Sequence, residues 1–157
     1  MKIQCWSVGK AHEGYVEEGI GLFTKRTGNY FPVSWQLIAA PKNAAALSEQ
    51  DLKKKEGEQI LSMLQKDDYL VLLDERGQLI KSEGLAAFLS ARANESVKQL
   101  IFLIGGAYGV SEAVMQRANF KWSLSPLVFP HQLVRLILSE QLYRACSIMR
   151  NEKYHHS

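Results

Sequence analysis

Two runs in this chain, Tyr69-Leu70-Val71-Leu72-Leu73 and Leu100-Ile101-Phe102-Leu103-Ile104, are apolar from end to end. A strand with one wetted face alternates apolar and polar side chains. An uninterrupted apolar strand needs cover on both faces, the condition met inside a parallel sheet flanked by helices. The rest of the chain fits that demand. Ile3 to Val8 reads as a strand closed by Gly9, and Val33 to Ile38 as a strand of period two. Gly14 to Arg26 reads as an amphipathic helix through Val16, Ile20 and Phe23. Ser48-Glu49-Gln50-Asp51 carries a helix N-terminus signature, continued by Leu52, Glu56, Ile60 and Leu64. A further helix follows Ser82, and a short one covers 111–118. Phe120 to Ser123 is the last strand and Phe129 to Met149 the longest helical stretch. Strands and helices alternate throughout. The fold class is therefore α/β: one domain over residues 1–157, a parallel sheet with helices on both faces.

A chain of 157 residues with 46% hydrophobic side chains can bury one sizeable core. Its 19 basic and 16 acidic residues leave a net charge of +3, which permits an RNA partner without demanding one. Lys53-Lys54-Lys55, the one basic run, reads as the solvated face of a helix. No apolar run approaches the roughly 20 residues that span a bilayer, and no signal-peptide core opens the chain, so no membrane partner is expected. Cys5 and Cys146 stand far apart and suggest neither a disulfide nor a metal site. A reducing cytoplasm is the expected compartment.

Ligands of open parallel sheets gather beyond the carboxyl ends of the strands. Three segments qualify here: 73–77, 104–109 and 123–129. Gly105, Gly106 and Gly109 would let backbone approach a ligand closely, although tight turns alone also use such clusters. Neither the dinucleotide glycine spacing nor a phosphate-loop Lys-Ser/Thr is present. The last helix starts near Pro130 and spreads Leu133, Val134, Leu136, Ile137, Leu138 and Leu142 around its circumference. Apolar residues on several faces call for burial on several faces, and a second copy of the chain is the simplest extra partner. Glu140 and Arg144 stand one turn apart and can pair; His131 and Arg135 share another face, where His131 taken alone reads as a polar residue at a helix N-terminus without chemistry. The tail, Asn151 to Ser157, holds Tyr154 and His155. A neutral imidazole there is a usable proton acceptor near neutral pH.

These segments in order, with 102–109, Pro130-His131-Gln132-Leu133-Val134-Arg135, 140–145 and Asn151-Glu152-Lys153-Tyr154-His155, resemble the large-subunit ribosomal RNA methyltransferase H family over essentially the whole chain. The resemblance implies the SPOUT fold with a C-terminal trefoil knot, an exception to the usual rules of chain connection. It also implies a homodimer that uses S-adenosylmethionine to methylate N3 of a pseudouridine in helix 69 of 23S ribosomal RNA, within the large subunit or the ribosome, with no metal. The family's cofactor contacts fall on Leu73, Gly105, Leu124, Ser125, Pro126, Leu127, Val128 and Phe129. Its catalytic pattern falls on His155 as base or relay, Tyr154 as orienting group, and Arg135 as partner of a substrate phosphate or the developing anion. Val128 stands where members often have Thr, Phe129 where they have Leu, Lys153 where Pro is frequent, and His156 where Arg is frequent. A branched side chain at Gly105 is expected to displace the cofactor while leaving the fold largely intact. The competing classes are a nucleotide- or cofactor-binding dimeric module without catalysis, and a purely structural dimer.

Overall fold

The computed structural model describes residues 1–156. Five strands alternate with five α-helices: β1 (Lys2–Val8), α1 (Gly14–Thr27), β2 (Val33–Ile38), α2 (Glu49–Met63), β3 (Tyr69–Leu79), α3 (Ser82–Asn94), β4 (Gln99–Ile104), α4 (Glu112–Arg117), β5 (Phe120–Ser123) and α5 (His131–Met149). The strands form one sheet in the order β2-β1-β4-β3-β5, with every pairing parallel. A single 3-10 turn at Ala44–Ala46 precedes α2. Ser48 starts α2 as its signature requires, its Oγ accepting from the Asp51 N–H at 3.1 Å.

The apolar runs do what their composition demands. Leu100, Phe102 and Ile104 of β4 enter one core layer with Leu85 and Leu89 of α3 and Leu138, Leu142 and Ala145 of α5. Ile101 and Leu103 point the other way, into a layer with Ile60 of α2 and Val114 of α4. All five β4 residues of that run are buried. Each large apolar side chain so enclosed contributes about 1.5–3 kcal/mol.

Two expectations are corrected. Packing of α1 along one side of α5, α3 along the other and the sheet beneath buries Leu138 and Leu142 within the chain, while Leu133, Val134, Leu136 and Ile137 stay half-buried. Leu142 is 1% exposed and so cannot serve as a contact between copies. The strand beginning at Tyr69 does not end at Asp74 either. It pairs with β5 through Leu73, then again from Gln78, with Trp122 opposite both, so residues 74–77 form a bulge inside β3. Gly77 makes this possible: a Cβ there would lie 2.6 Å from the Lys121 carbonyl carbon.

Candidate active site

The bulge inside β3 and the segments that follow β4 and β5 stand side by side and close around one cleft of about 530 Å³. That volume suits a small-molecule ligand. Leu73, Gly105, Leu124, Ser125, Leu127 and Phe129 line it, together with His131 and Val134 at the start of α5. Pro126 and Val128 do not; Val128 is 74% exposed. Glu49, Asp74, Glu75 and Arg76 supply the charged side chains.

The loop after β4 is a tight turn and a cleft wall at once. Gly109 donates its N–H to the Gly106 carbonyl at 3.1 Å and holds a φ of +85°, which favours glycine. A Cβ on Gly105 would meet Val110 Cγ1 at 2.8 Å and the Gly109 carbonyl carbon at 3.3 Å. Glycine at 105 is thus required by the loop's own closure, and a branched side chain there would strain the loop as well as fill the cleft. Behind the loop stands Glu56, buried and 2.6 Å from where a Gly106 Cβ would lie; burial pushes its carboxyl pKa up. After β5, Ser125 Oγ accepts from the Leu127 N–H at 3.0 Å, and Ser123 Oγ donates to the Ser125 carbonyl at 3.1 Å.

Asp74 accepts from the Arg76 backbone N–H at 2.8 Å and from its guanidinium Nε at 3.1 Å, and the arginine holds this carboxyl below the usual range. Burial, then the nearby Arg135 charge, lowers the His131 pKa, so its imidazole is neutral at pH 7. Trp122 is 3% exposed, and its indole N–H has no partner among the described residues.

Trp122 and Leu124 also wall a second cavity of about 460 Å³, lined on its far side by Ser82, Glu83, Gln141, His155 and His156. The tail folds back to reach it. Tyr154 donates to Glu140 Oε1 at 3.0 Å and packs against Tyr143 with ring centroids 4.7 Å apart. Glu140 and Arg144 pair at 2.6 Å, as their spacing suggested. Arg144 Nη1 lies 3.1 Å from His155 Nδ1, and His155 Nε2 lies 2.8 Å from Glu83 Oε1. Burial, then the bond to Glu140, raises the Tyr154 pKa, which keeps its hydroxyl protonated.

Arg135 lies apart from this assembly. It lines neither cavity and is 1% exposed. Its guanidinium donates to Ser7 Oγ at 2.8 Å and to the Lys10 carbonyl at 2.9 Å, and lies 3.2 Å from His12 Nδ1. In one protomer that placement gives a substrate phosphate no approach. Sequence reasoning missed Glu83, Gln141, Trp122 and the cleft position of His131. Glu83 reaches its partner across 72 positions, and no local pattern signals such a pairing.

Among the described residues no group of three or more His, Cys, Asp or Glu is placed to hold a metal, and no helix is long and apolar enough to cross a membrane.

A family model described as "Predicted SPOUT methyltransferase" matches residues 1–155. Curated relatives include a protein of Cytophaga hutchinsonii, 47% identical over 99% of this chain and 100% of its own length, and one of Parabacteroides distasonis, 46% identical over 99% of each. A Bacillus pumilus protein is 44% identical, again over 99% of both chains. All three are named ribosomal RNA large subunit methyltransferase H. Among solved structures, a "probable methylase family protein" from Haemophilus influenzae superposes with a TM-score of 0.53 at 15% identity. It covers 99% of this chain and 70% of its own, a likeness of fold.

Proposed function

The chain belongs to the SPOUT methyltransferase family, and from that premise we propose that it methylates 23S ribosomal RNA, at N3 of a pseudouridine in helix 69, using S-adenosylmethionine. The observation that carries this reading is the convergence of the β3 bulge and the segments after β4 and β5 on one cleft, which shares Trp122 and Leu124 with the cavity that holds His155. A cleft for a methyl donor beside a cavity with a titratable imidazole is the arrangement that methyl transfer with loss of a proton requires.

The residues present suit the cofactor. Leu73, Leu124, Phe129 and Val134 offer apolar walls for an adenine, and the turn 105–109 offers backbone polar groups. With Asp74 paired to Arg76, Glu49 and Glu75 leave the cleft the net negative charge that suits a cationic ligand. When bound, S-adenosylmethionine supplies a methyl group already activated on a sulfonium. The protein's task is then to hold the nucleophile in line and to take up the N3 proton. His155 is the group for that proton, with Tyr154 orienting the substrate or the imidazole through its hydroxyl. Arg135 is assigned a supporting role, fixing the loop after β1 through the Lys10 carbonyl and His12.

The active form on this reading is a homodimer, in which basic surface from two copies surrounds each site and offsets the modest charge of one. Tyr15 and Leu22, 61% and 47% exposed on α1, join α5 as its candidate face. The C-terminal segment is taken to pass through a loop as a trefoil knot, and the compartment is that of the ribosome, the cytoplasm.

Mass mapping of 23S ribosomal RNA from cells lacking this chain tests the proposal. One methyl group should be missing from the helix 69 pseudouridine and return on complementation. An unchanged modification map would reject this substrate, and cofactor binding without any RNA methylation would favour the non-catalytic module.

A further inference from the structure

We propose, on the reading of His155 as the substrate-side base, that Glu83 is its positioning residue: its carboxylate holds the imidazole with the proton on Nε2 and leaves Nδ1 as the basic nitrogen. The two contacts of the ring decide this together. A guanidinium has donors and no acceptor, so Arg144 Nη1, 3.1 Å from Nδ1, can only donate. Nδ1 therefore carries a lone pair. In the neutral ring the proton must be on Nε2, where it is donated to Glu83 Oε1 at 2.8 Å. Among the described residues this is the only ion pair that Glu83 makes. The bond from His155 holds the Glu83 carboxyl below the ordinary range, so an ionised acceptor faces Nε2 at neutral pH.

The arrangement joins parts far apart in the chain. Glu83 sits in the first turn of α3, Arg144 in the last third of α5, and His155 beyond the end of that helix. The His155 side chain is 16% exposed and that of Glu83 48%. The ring is therefore enclosed enough to be held, and its carboxylate partner remains partly wetted. Lys81, Gln141 and His156 complete the polar surroundings on the cavity side.

As it stands, Nδ1 is covered by Arg144. A substrate oxygen that draws Nη1 away uncovers it. The N3 proton then passes to Nδ1, and N3 uses the freed electron pair to bond the methyl carbon as the methyl–sulfur bond breaks onto sulfur. The imidazolium so formed still donates from Nε2 to Glu83, whose negative charge offsets the new positive one. The proton leaves to solvent once product departs. A carboxylate behind a histidine serves other catalytic sites in the same way, by selecting the tautomer and stabilising the cation.

Nitrogen NMR on the full chain with labelled histidine tests this without requiring turnover, the His155 signals being assigned by their loss in His155→Ala. The wild type should show the Nε2–H tautomer. Glu83→Gln keeps an acceptor oxygen and should keep the tautomer, whereas Glu83→Ala leaves Arg144 alone to select it and should raise the minor Nδ1–H population, and Glu83→Ala with Arg144→Ala should give a mixture of both. With ribosomes and S-adenosylmethionine, Glu83→Ala should lower kcat about tenfold, a part of the ~10²–10⁴ that a general base contributes. Glu83→Gln should fall between, with KM and cofactor affinity unchanged in both variants. An Nδ1–H tautomer in the wild type would overturn the proposal. So would Glu83→Ala with wild-type tautomer and wild-type kcat. Absence of turnover in the wild type would count against the assigned reaction, and the tautomer would still decide the role of Glu83.

Discussion

Adding one methyl group at Gly105 should weaken cofactor binding and stability together, and the size of both effects follows from the loop. In Gly105→Ala the new Cβ lies 2.8 Å from Val110 Cγ1 and 3.3 Å from the Gly109 carbonyl carbon. Carbon atoms rest at about 3.5–4.0 Å, so the overlap is large. Val110 is stiff at χ1 and the other neighbour is backbone, so neither can swing aside. Overpacking of this kind costs about 1–3 kcal/mol. At about 2–4 °C per kcal/mol for a domain of this size, the thermal midpoint should fall by roughly 2–12 °C. The same strain opposes the closed turn that lines the cleft, so S-adenosylmethionine affinity should drop by about 5- to 150-fold in titration calorimetry. Gly109→Ala separates the causes. Nothing lies within 4 Å of its added Cβ, and the penalty there is the φ of +85° alone. That variant should lose stability with a smaller loss of affinity. Wild-type midpoint and wild-type affinity in Gly105→Ala would refute both the packing argument and the place of this loop in the site.

The remaining predictions address the base, the titrating groups and the assembly. His155→Ala should lose about 10²–10⁴ in turnover with cofactor binding retained, and His156→Ala should be mild; equal losses would point to tail ordering instead. Glu56→Gln should raise the thermal midpoint at neutral pH, because a carboxyl raised by burial in the native state loses stability as pH climbs through that raised value. The gain should vanish near pH 4.5, where unfolded carboxyls are also protonated. His12 and His131 are both held below 6.5 by burial first, so the unfolded chain takes up their protons first and the midpoint should fall as pH drops beneath about 6.5. Light scattering should give twice the 17.7 kDa protomer mass, with Leu22→Glu favouring the folded monomer; a monomeric wild type at micromolar concentration would exclude the dimer.

Apolar runs and periodicity together locate each strand and α-helix, short of the far half of β3, because each buries a face that its own sequence must declare. The two apolar runs identify two of the three inner strands, and the segments that follow them and the last strand point to Leu73, Gly105 and Leu124 before any contact is known. What local pattern cannot hold is distance along the chain. The continuation of β3 past Asp74 depends on its pairing with β5, and residues 74–77 are polar enough to read as a loop. The depth of Arg135 depends on Ser7 and Lys10, both more than a hundred positions away. A charged residue on a helix gives no sign that its partners are a hydroxyl on an inner strand and a carbonyl in the loop after it. Tyr154 and His155 are singled out in the tail through the family resemblance, but the docking of the tail on Glu140, Arg144 and Glu83 is not legible.

Methyl transfer by the purified protein is the most direct measurement. Tritium-labelled methyl on S-adenosylmethionine, supplied with ribosomes from cells lacking this chain, should appear in 23S ribosomal RNA at the helix 69 pseudouridine, and should fail to appear with His155→Ala. Folded protein that binds S-adenosylmethionine and transfers no label to ribosomes, large subunits or free ribosomal RNA would contradict the account.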